Sequence, residues 1–235
     1  MLMKVIGVID ETQDTKTIRF SSNSNFSFKP GQFVMINADV IIDGTKKFVK
    51  RAYSISSSPL IKEYIDLTVK IYPEKGLVSK RLFSMKVGEE IDITGPYGHF
   101  FFDENIQKNI VLIAGGVGVT PLACMLKYIK DKKLTEIKAD LIYSSKTPED
   151  IIFKKELTSN YPANIKIHLT ITRPDGYKWN GLNGRIDEKM IKTIINNIHE
   201  PYYYICGPTS MVEDTNKLLK SIGIKEEKIK LERFG

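Results

Sequence analysis

Two cysteines and three histidines among 235 residues leave little material for a metal centre or a disulfide framework. Cys124 and Cys206 cannot by themselves hold an iron–sulfur cluster, so any cluster in an electron path belongs to a partner. His99, His168 and His199 show no metal-ligand spacing, and no metal site is expected. A run of eighteen apolar residues is also missing, and Lys4 is followed by the alternating segment VIGVID rather than by an apolar leader. Neither a membrane span nor secretion is expected, which points to a cytoplasmic protein. The formal charge of +7 is spread along the chain with no dense basic block and no nucleic-acid motif. Nucleic acid is therefore not the expected partner, whereas an ordinary solvated surface, an acidic protein or an anionic cofactor all suit such a charge.

What the sequence does contain changes character near residue 103. Its length fits one large domain or two of roughly 100 to 135 residues, each able to bury a core. Upstream, β-branched or alternating stretches recur: KVIGVID, TKTIRF, GQFVMI, KRAYSI, YIDLTVKI and EEIDIT, punctuated by Lys29-Pro30-Gly31, Pro73 and Gly88. These predict the strands of an antiparallel barrel or sandwich. Within YIDLTVKI, Ile65, Leu67, Val69 and Ile71 share one face, as in a half-buried strand. The stretch at 40–50 reads equally as a hairpin arm or a loop. Downstream, strands expected at 110–114, 139–143, 165–171 and 202–206 alternate with helical patterns at 121–132, 149–158, 187–198 and 209–221. That order predicts βα units around a parallel sheet. With a seam between Pro96 and Asn109, the expected division is an antiparallel β-domain over 1–103 and an α/β domain over 104–235.

The apolar run Ile110 to Ala114 leads directly into Gly115-Gly116-Val117-Gly118-Val119-Thr120-Pro121. The glycines let backbone amides approach a phosphate, and Thr120 is expected to cap a helix that Pro121 opens. A cofactor phosphate and a bare strand-to-helix turn both fit, because the run lacks the full dinucleotide fingerprint and the lysine of a nucleoside-triphosphate loop. Arg51 and Tyr53 share one face of a predicted strand, either as a phosphate-binding guanidinium with an aromatic platform or as a surface arginine with a packed tyrosine. Ser54 ends that strand or points the other way. Lys75-Gly76-Leu77-Val78-Ser79 predicts a turn into a short helix with amides free to meet an anion. In Tyr204-Ile205-Cys206-Gly207-Pro208-Thr209, a second strand and turn, Cys206 falls at the ligand-binding edge of an open sheet or is a buried, inert thiol. Cys124 reads as core. The last residues, Leu231-Glu232-Arg233-Phe234-Gly235, predict a short strand that is either structural or closes over a site.

Six strings, RAYS, GLVS, GPYG, GGVGVTP, CGPTSM and ERF, stand in an order and at separations that resemble the ferredoxin–NADP⁺ reductase superfamily, across nearly the whole chain. The resemblance implies a two-domain protein, an antiparallel flavin-binding β-barrel over 1–103 followed by a parallel-sheet nicotinamide-nucleotide domain over 104–235. Carried over, Arg51 binds flavin phosphate, Tyr53 lies against the isoalloxazine or ribityl, and Ser54 hydrogen-bonds near flavin N5. Gly76, Val78 and Ser79 line the phosphate side, and Phe234 shields the flavin. Gly115, Gly116, Gly118 and Thr120 receive the dinucleotide pyrophosphate, while Cys206 and Gly207 position the nicotinamide and Glu232 stands near hydride transfer. Ser145, Lys146, Thr172, Arg173 and Lys178 fall where relatives grip a 2′-phosphate, although neighbouring segments also resemble NADH-using oxygenase reductases; NADPH and NADH both remain as donors. FAD is implied rather than FMN. The implied chemistry is hydride transfer from NAD(P)H to FAD and electron delivery to a separate, acidic carrier such as a ferredoxin, a flavodoxin or an oxygenase component. Direct reduction of free flavin, quinone or ferric complexes is the enzymatic alternative, and a non-catalytic regulatory subunit the other. Oligomeric state is left open.

Overall fold

The computed structural model describes residues 1–23, 25–72 and 76–234, with Ile42 known by its backbone alone. Pro73, Lys75 and Gly235, which entered the sequence reading as punctuation, anion turn and chain end, lie outside the described residues. The first half contains β1 (Leu2–Thr12), β2 (Thr15–Ser21), β3 (Phe33–Ile42), β4 (Thr45–Ser54), β5 (Tyr64–Lys70), α1 (Leu77–Ser84) and β6 (Glu90–Tyr97). The strands form one antiparallel sheet in the order β4-β3-β6-β1-β2-β5. Segment 40–50 is a hairpin: β3 and β4 pair out to Ile42 and Thr45, and Asp43 and Gly44 take φ of 50° and 72°. Two left-handed residues give the turn a twist that matches the strands it joins.

Val5, Ile18, Phe20, Val34, Ile36, Ile65, Leu67 and Ile93 are 1% exposed or less and form the core of this half, with Val78 and Leu82 of α1 packed among them. Strand β5 departs from the one-faced expectation, because its five central residues are all buried. Asp66 accepts both arms of the Arg19 fork at 2.8 and 2.9 Å, and the Thr68 hydroxyl lies 2.8 Å from that of Thr17 and 2.9 Å from that of Ser56. A satisfied polar layer thus covers the face that alternation assigned to solvent.

The second half contains β7 (Asn109–Gly115), a 3₁₀ turn (Gly116–Gly118), α2 (Val119–Asp131), β8 (Lys138–Ser145), α3 (Lys154–Leu157), β9 (Ile165–Ile171), β10 (Leu182–Asn183), α4 (Glu188–Ile194), β11 (Tyr202–Pro208), α5 (Thr209–Ser221) and β12 (Ile229–Phe234). Its sheet is parallel, in the order β10-β9-β8-β7-β11-β12. Strand β7 is apolar on both faces because both are covered. Ile110, Leu112 and Ala114 pack with Leu122, Met125, Leu126 and Ile129 of α2, whereas Val111 and Ile113 pack with Ile191 of α4 and with Val212 and Leu219 of α5.

Two helices are shorter than their periodicity suggests. The Thr147 to Asp150 capping box forms as expected, with Thr147 N and Oγ1 at 3.0 and 2.9 Å from Asp150 Oδ2, but it opens only a 3₁₀ turn over Pro148–Asp150. Burial of Ile151, Ile152 and Phe153 breaks the pattern before α3, and Phe153 turns left-handed at φ 58°. Helix α4 stops at Ile194 because Ile195 is extended, and Asn197 Oδ1 accepts from His199 N at 3.3 Å in a competing local turn.

Direct contacts join the halves. The Tyr204 hydroxyl lies 2.9 Å from both the Phe101 carbonyl and Gln107 Oε1, Lys127 Nζ donates to the Ser56 carbonyl at 2.9 Å, and Phe153 N donates to Glu11 Oε2 at 3.1 Å.

Candidate functional site

A cleft of about 940 Å³ opens at the carboxyl edge of the parallel sheet, where open α/β sheets hold their ligands. Gly115 and Gly116 from the turn after β7, Ser145 and Lys146 from the end of β8, Thr172 and Arg173 beyond β9, and Phe234 at the end of β12 all line it. Most of the residues nominated for the dinucleotide are thus brought together. Lys178 is exposed outside the lining, and Gly118, Thr120, Cys206 and Gly207 lie behind the wall. The cap assigned to Thr120 does not form: α2 begins at Val119, Thr120 is buried within the first turn, and Pro121 is the third helical residue, where its missing N–H goes unused.

The glycines of the turn serve different ends. A Cβ on Gly118 would stand 2.3 Å from the Cys206 carbonyl oxygen, and one on Gly115 2.3 Å from Met211 Sδ. A Cβ on Gly207 would in turn meet the Gly115 backbone at 3.1 Å. The turn after β7 and the end of β11 therefore interlock backbone to backbone. Gly116 is the open member, with φ 52° and free space where a Cβ would be.

On the other half, Arg51 and Gly76, Leu77 and Val78 meet around a smaller cavity of about 200 Å³, closed below by Val40 and Val49. Gly76 adopts φ 83° ahead of α1, and the Tyr53 and Ser79 hydroxyls are 2.8 Å apart. Burial pushes the Tyr53 phenol up, with the Ser79 hydrogen bond and the Arg51 charge opposing it. RAYS and GLVS, twenty-odd residues apart, thus form one surface.

The third constellation lies where the halves meet. Cys206 and Glu232 are register partners on β11 and β12, and Ser54 ends β4 at 5% exposure. Burial raises the Glu232 carboxyl from 4.5 to about 7, while its hydrogen bond with Ser54 pulls the other way. Glu232 Oε2 is buried without a partner. Burial, aided by the charge of Glu232, also pushes the Cys206 thiol well above its ordinary value. Cys124 is core, as expected, and burial raises it to about 12. Several cleft residues, among them Tyr72, Asp187, Asp214 and Arg185, had no counterpart in the sequence reading; Arg185 follows a two-residue strand too short to leave a pattern.

Residues 3–102 match the family described as oxidoreductase FAD-binding domain, and residues 112–217 the family described as oxidoreductase NAD-binding domain. The chain belongs to the ferredoxin–NADP⁺ reductase-like superfamily of flavin- and nicotinamide-binding oxidoreductases. The glycine betaine monooxygenase reductase subunit of Chromohalobacter salexigens is 34% identical over 240 residues, covering 99% of this chain. This chain spans 64% of that relative's length. NADH-cytochrome b5 reductase 1 of Candida glabrata is 32% identical, over 82% of this chain and 68% of its own. In structure, the cytochrome b5 reductase domain of Ulva prolifera nitrate reductase superposes with a TM-score of 0.86 at 26% identity, over 98% of this chain and 96% of that one. Among the described residues of this superfamily member, no group of His, Cys, Asp or Glu is placed to hold a metal ion, and no helix is long and apolar enough to cross a membrane.

Proposed function

We propose that this chain is an NAD(P)H-dependent flavoprotein reductase that moves hydride from a reduced nicotinamide nucleotide to FAD and passes electrons to a separate redox protein, such as an oxygenase component, a ferredoxin or a flavodoxin. The carrying observation is that Ser54, Cys206 and Glu232 gather from both halves at one junction, two residues along β11 and β12 from the cleft-lining Pro208 and Phe234. Oxygenase reductase subunits among the relatives support a separate partner, and the charge of +7 suits an acidic one.

The residues present fit both cofactors. The small cavity offers a guanidinium beside the left-handed Gly76, and Gly116 leaves space above its amide where a phosphate can approach. FAD, when bound, accepts a hydride and releases electrons singly or as a pair. Arg51 neutralises the flavin phosphate with Gly76, Val78 and Ser79 around it. Tyr53, held by Ser79, presents its ring, and Ser54 places a hydroxyl near the reacting edge. Gly115 and the open Gly116 would hold the pyrophosphate, with Gly118 and Thr120 packed behind them; Ser145, Lys146 and Arg173 face the adenosine end. Cys206 and Gly207 back the nicotinamide, Glu232 holds a proton at its buried carboxyl, and Phe234 covers the site. No side chain needs to act as a covalent nucleophile, because the work is alignment and exclusion of water.

The same reading divides the chain at 103/104, in the connection between β6 and β7, and closes the first sheet into a barrel. An isolated antiparallel bridge between Ile55 and Leu67, just past the end of β4 and opposite β5, supports that closure.

An anaerobic visible spectrum before and after stoichiometric NADPH or NADH tests the proposal. Flavin bands that bleach are the expected result. A reconstituted protein that binds no flavin, or whose flavin neither nucleotide reduces, overturns it in favour of a non-catalytic binding subunit.

A further inference from the structure

We infer that Glu11 and Lys127 are positioning residues that lock the two halves at the angle bringing Ser54 to Glu232 and Cys206, an inference that rests on the reductase reading above. Lys127 Nζ, on α2, donates to the Ser56 carbonyl at 2.9 Å, stands 3.2 Å from Glu156 Oε2 and lies 4.6 Å from the centre of the Phe153 ring. Phe153 N in turn donates to Glu11 Oε2 at 3.1 Å. Phe153 is therefore held at two points. Within the first half the two anchors are themselves joined: Glu11 Oε1 accepts from the Thr17 hydroxyl at 2.7 Å, that hydroxyl lies 2.8 Å from the Thr68 hydroxyl, and Thr68 Oγ1 lies 2.9 Å from Ser56 Oγ. These contacts close a circuit that crosses between the halves twice.

One contact between two bodies leaves a pivot and two leave a hinge axis, so a third point off that axis is needed to fix an angle. Tyr204 supplies it. Its hydroxyl meets Phe101 and Gln107 in the connection, which is tied back to the first half by Phe102 N donating to the Pro30 carbonyl at 3.0 Å. Both ends of the Lys127 crossing bear on the site. Ser56 follows Ser54 by two residues, is fully buried, and is fixed by its amide bond to the Asp66 carbonyl at 2.9 Å. Lys127 stands on the helix that begins where the glycine turn ends, ~12 Å along it at about 1.5 Å per residue. It therefore couples the strand end that carries Ser54 to the turn that carries Gly116. The second crossing uses Phe153 at φ 58°, a conformation that a bulky residue keeps only where its surroundings hold it, and the Glu11 bond and the Lys127 contact are what hold it there. Neither Glu11 nor Lys127 lines the cleft or the small cavity, so they act through alignment rather than by touching a cofactor. Hydride transfer is sensitive to that alignment, because a misplacement of about 1 Å costs roughly a hundredfold in rate.

Lys127→Met and Glu11→Ala each open the circuit, whereas Lys127→Arg and Glu11→Gln keep a donor and an acceptor in place. In stopped flow at saturating nucleotide, the open variants should reduce flavin more slowly by roughly tenfold or more, and the conservative variants should recover most of the rate. Flavin affinity and calorimetric 5′-AMP affinity should stay at the wild-type values, because each half keeps its own cavity. The long-wavelength absorbance of reduced flavin stacked on oxidised nicotinamide should weaken along with the rate. A further readout needs no turnover. In the oxidised, FAD-loaded protein, hydrogen exchange at the Phe153 amide should quicken by roughly tenfold or more in Lys127→Met, although that amide bonds to Glu11, while the Leu112 amide in β7 keeps its protection and reports an intact fold. If Lys127→Met loses the Leu112 protection, Glu11→Ala carries the rate test. Wild-type rates in both open variants, a loss of rate matched by a loss of flavin or 5′-AMP affinity, or an unchanged Phe153 amide overturns the inference; where the wild-type flavin still bleaches, the reductase reading stands. A wild-type flavin that neither nucleotide reduces brings down both.

Discussion

Glu232→Gln should stabilise the folded chain at pH 8 far more than at pH 4.5. The carboxyl titrates near 4.5 in the unfolded chain and at about 7 in the fold, with burial as the larger cause and the Ser54 hydrogen bond opposing it. Between those values the folded state holds a proton that the unfolded state has lost. Stability from this group is therefore fully present below 4.5, declines as pH rises, and is gone above about 7. A gap of about 2.5 pH units (7 − 4.5) corresponds to ~3 kcal/mol at 1.36 kcal/mol per unit. The glutamine variant cannot ionise and lacks this slope. The difference between variant and wild type should then widen by ~3 kcal/mol from pH 4.5 to pH 8, roughly 6–12 °C in Tm for a chain of this size. Thermal unfolding of both proteins across that range, at matched flavin content, cancels every other titrating group. A difference that stays flat with pH, or a variant that loses ground as pH rises, would refute the placement of a buried, protonated carboxyl at the junction.

Other outcomes follow from the same geometry. Ser54→Ala removes the hydrogen bond that holds Glu232 down, so the wild-type inflection near pH 7 should move upward, and flavin reduction in stopped flow should slow while flavin stays bound. Cys206→Ala should likewise slow reduction without loss of flavin; a wild-type rate would withdraw its role behind the nicotinamide. Arg51→Ala should weaken flavin binding by roughly tenfold or more in apoprotein titrations, the cost of one charge-assisted contact, and an unchanged affinity counts against the phosphate assignment. Gly118→Ala should cost ~2 kcal/mol or more in denaturant unfolding, because its Cβ would sit 2.3 Å from the Cys206 carbonyl oxygen, a rigid backbone atom. Full stability in that variant would show that the β11 turn yields.

Alternation made most strands of the first half legible, because they set one face on a single apolar core; the largely exposed β4 touches that core only through Val49 and Tyr53. It failed on the second face of β5, where Asp66 and Thr68 are buried by Arg19, Thr17 and Ser56, residues that no local pattern connects to them. Continuous apolar runs similarly announced β7 and β11, whereas β10, two residues long, carries no periodicity at all. Helical spacing overran the left-handed Phe153 because tertiary burial, not propensity, ends that pattern. At the site, motif order was enough to bring Arg51, Tyr53, Gly76 and Ser79 together. It could not explain why Gly115 and Gly118 are glycines, since the reason is the β11 turn pressed against them from ninety residues away. Nor could it nominate Arg185, which reaches the cleft only because a short edge strand carries it there.

The interlock of those two turns has a bearing on how such a protein can diversify. Gly115, Gly118, Cys206 and Gly207 share atomic space, so a change at one is judged by the backbone of another, and their substitutions should be epistatic rather than additive. The edge that Lys146, Arg173 and Arg185 line has no such backbone interlock: the three residues are exposed and follow separate strands. Single changes at the rim therefore meet no opposing backbone, while the centre of the sheet is inherited as a block. An engineer who wishes to change the nucleotide should work at the rim and leave the centre untouched.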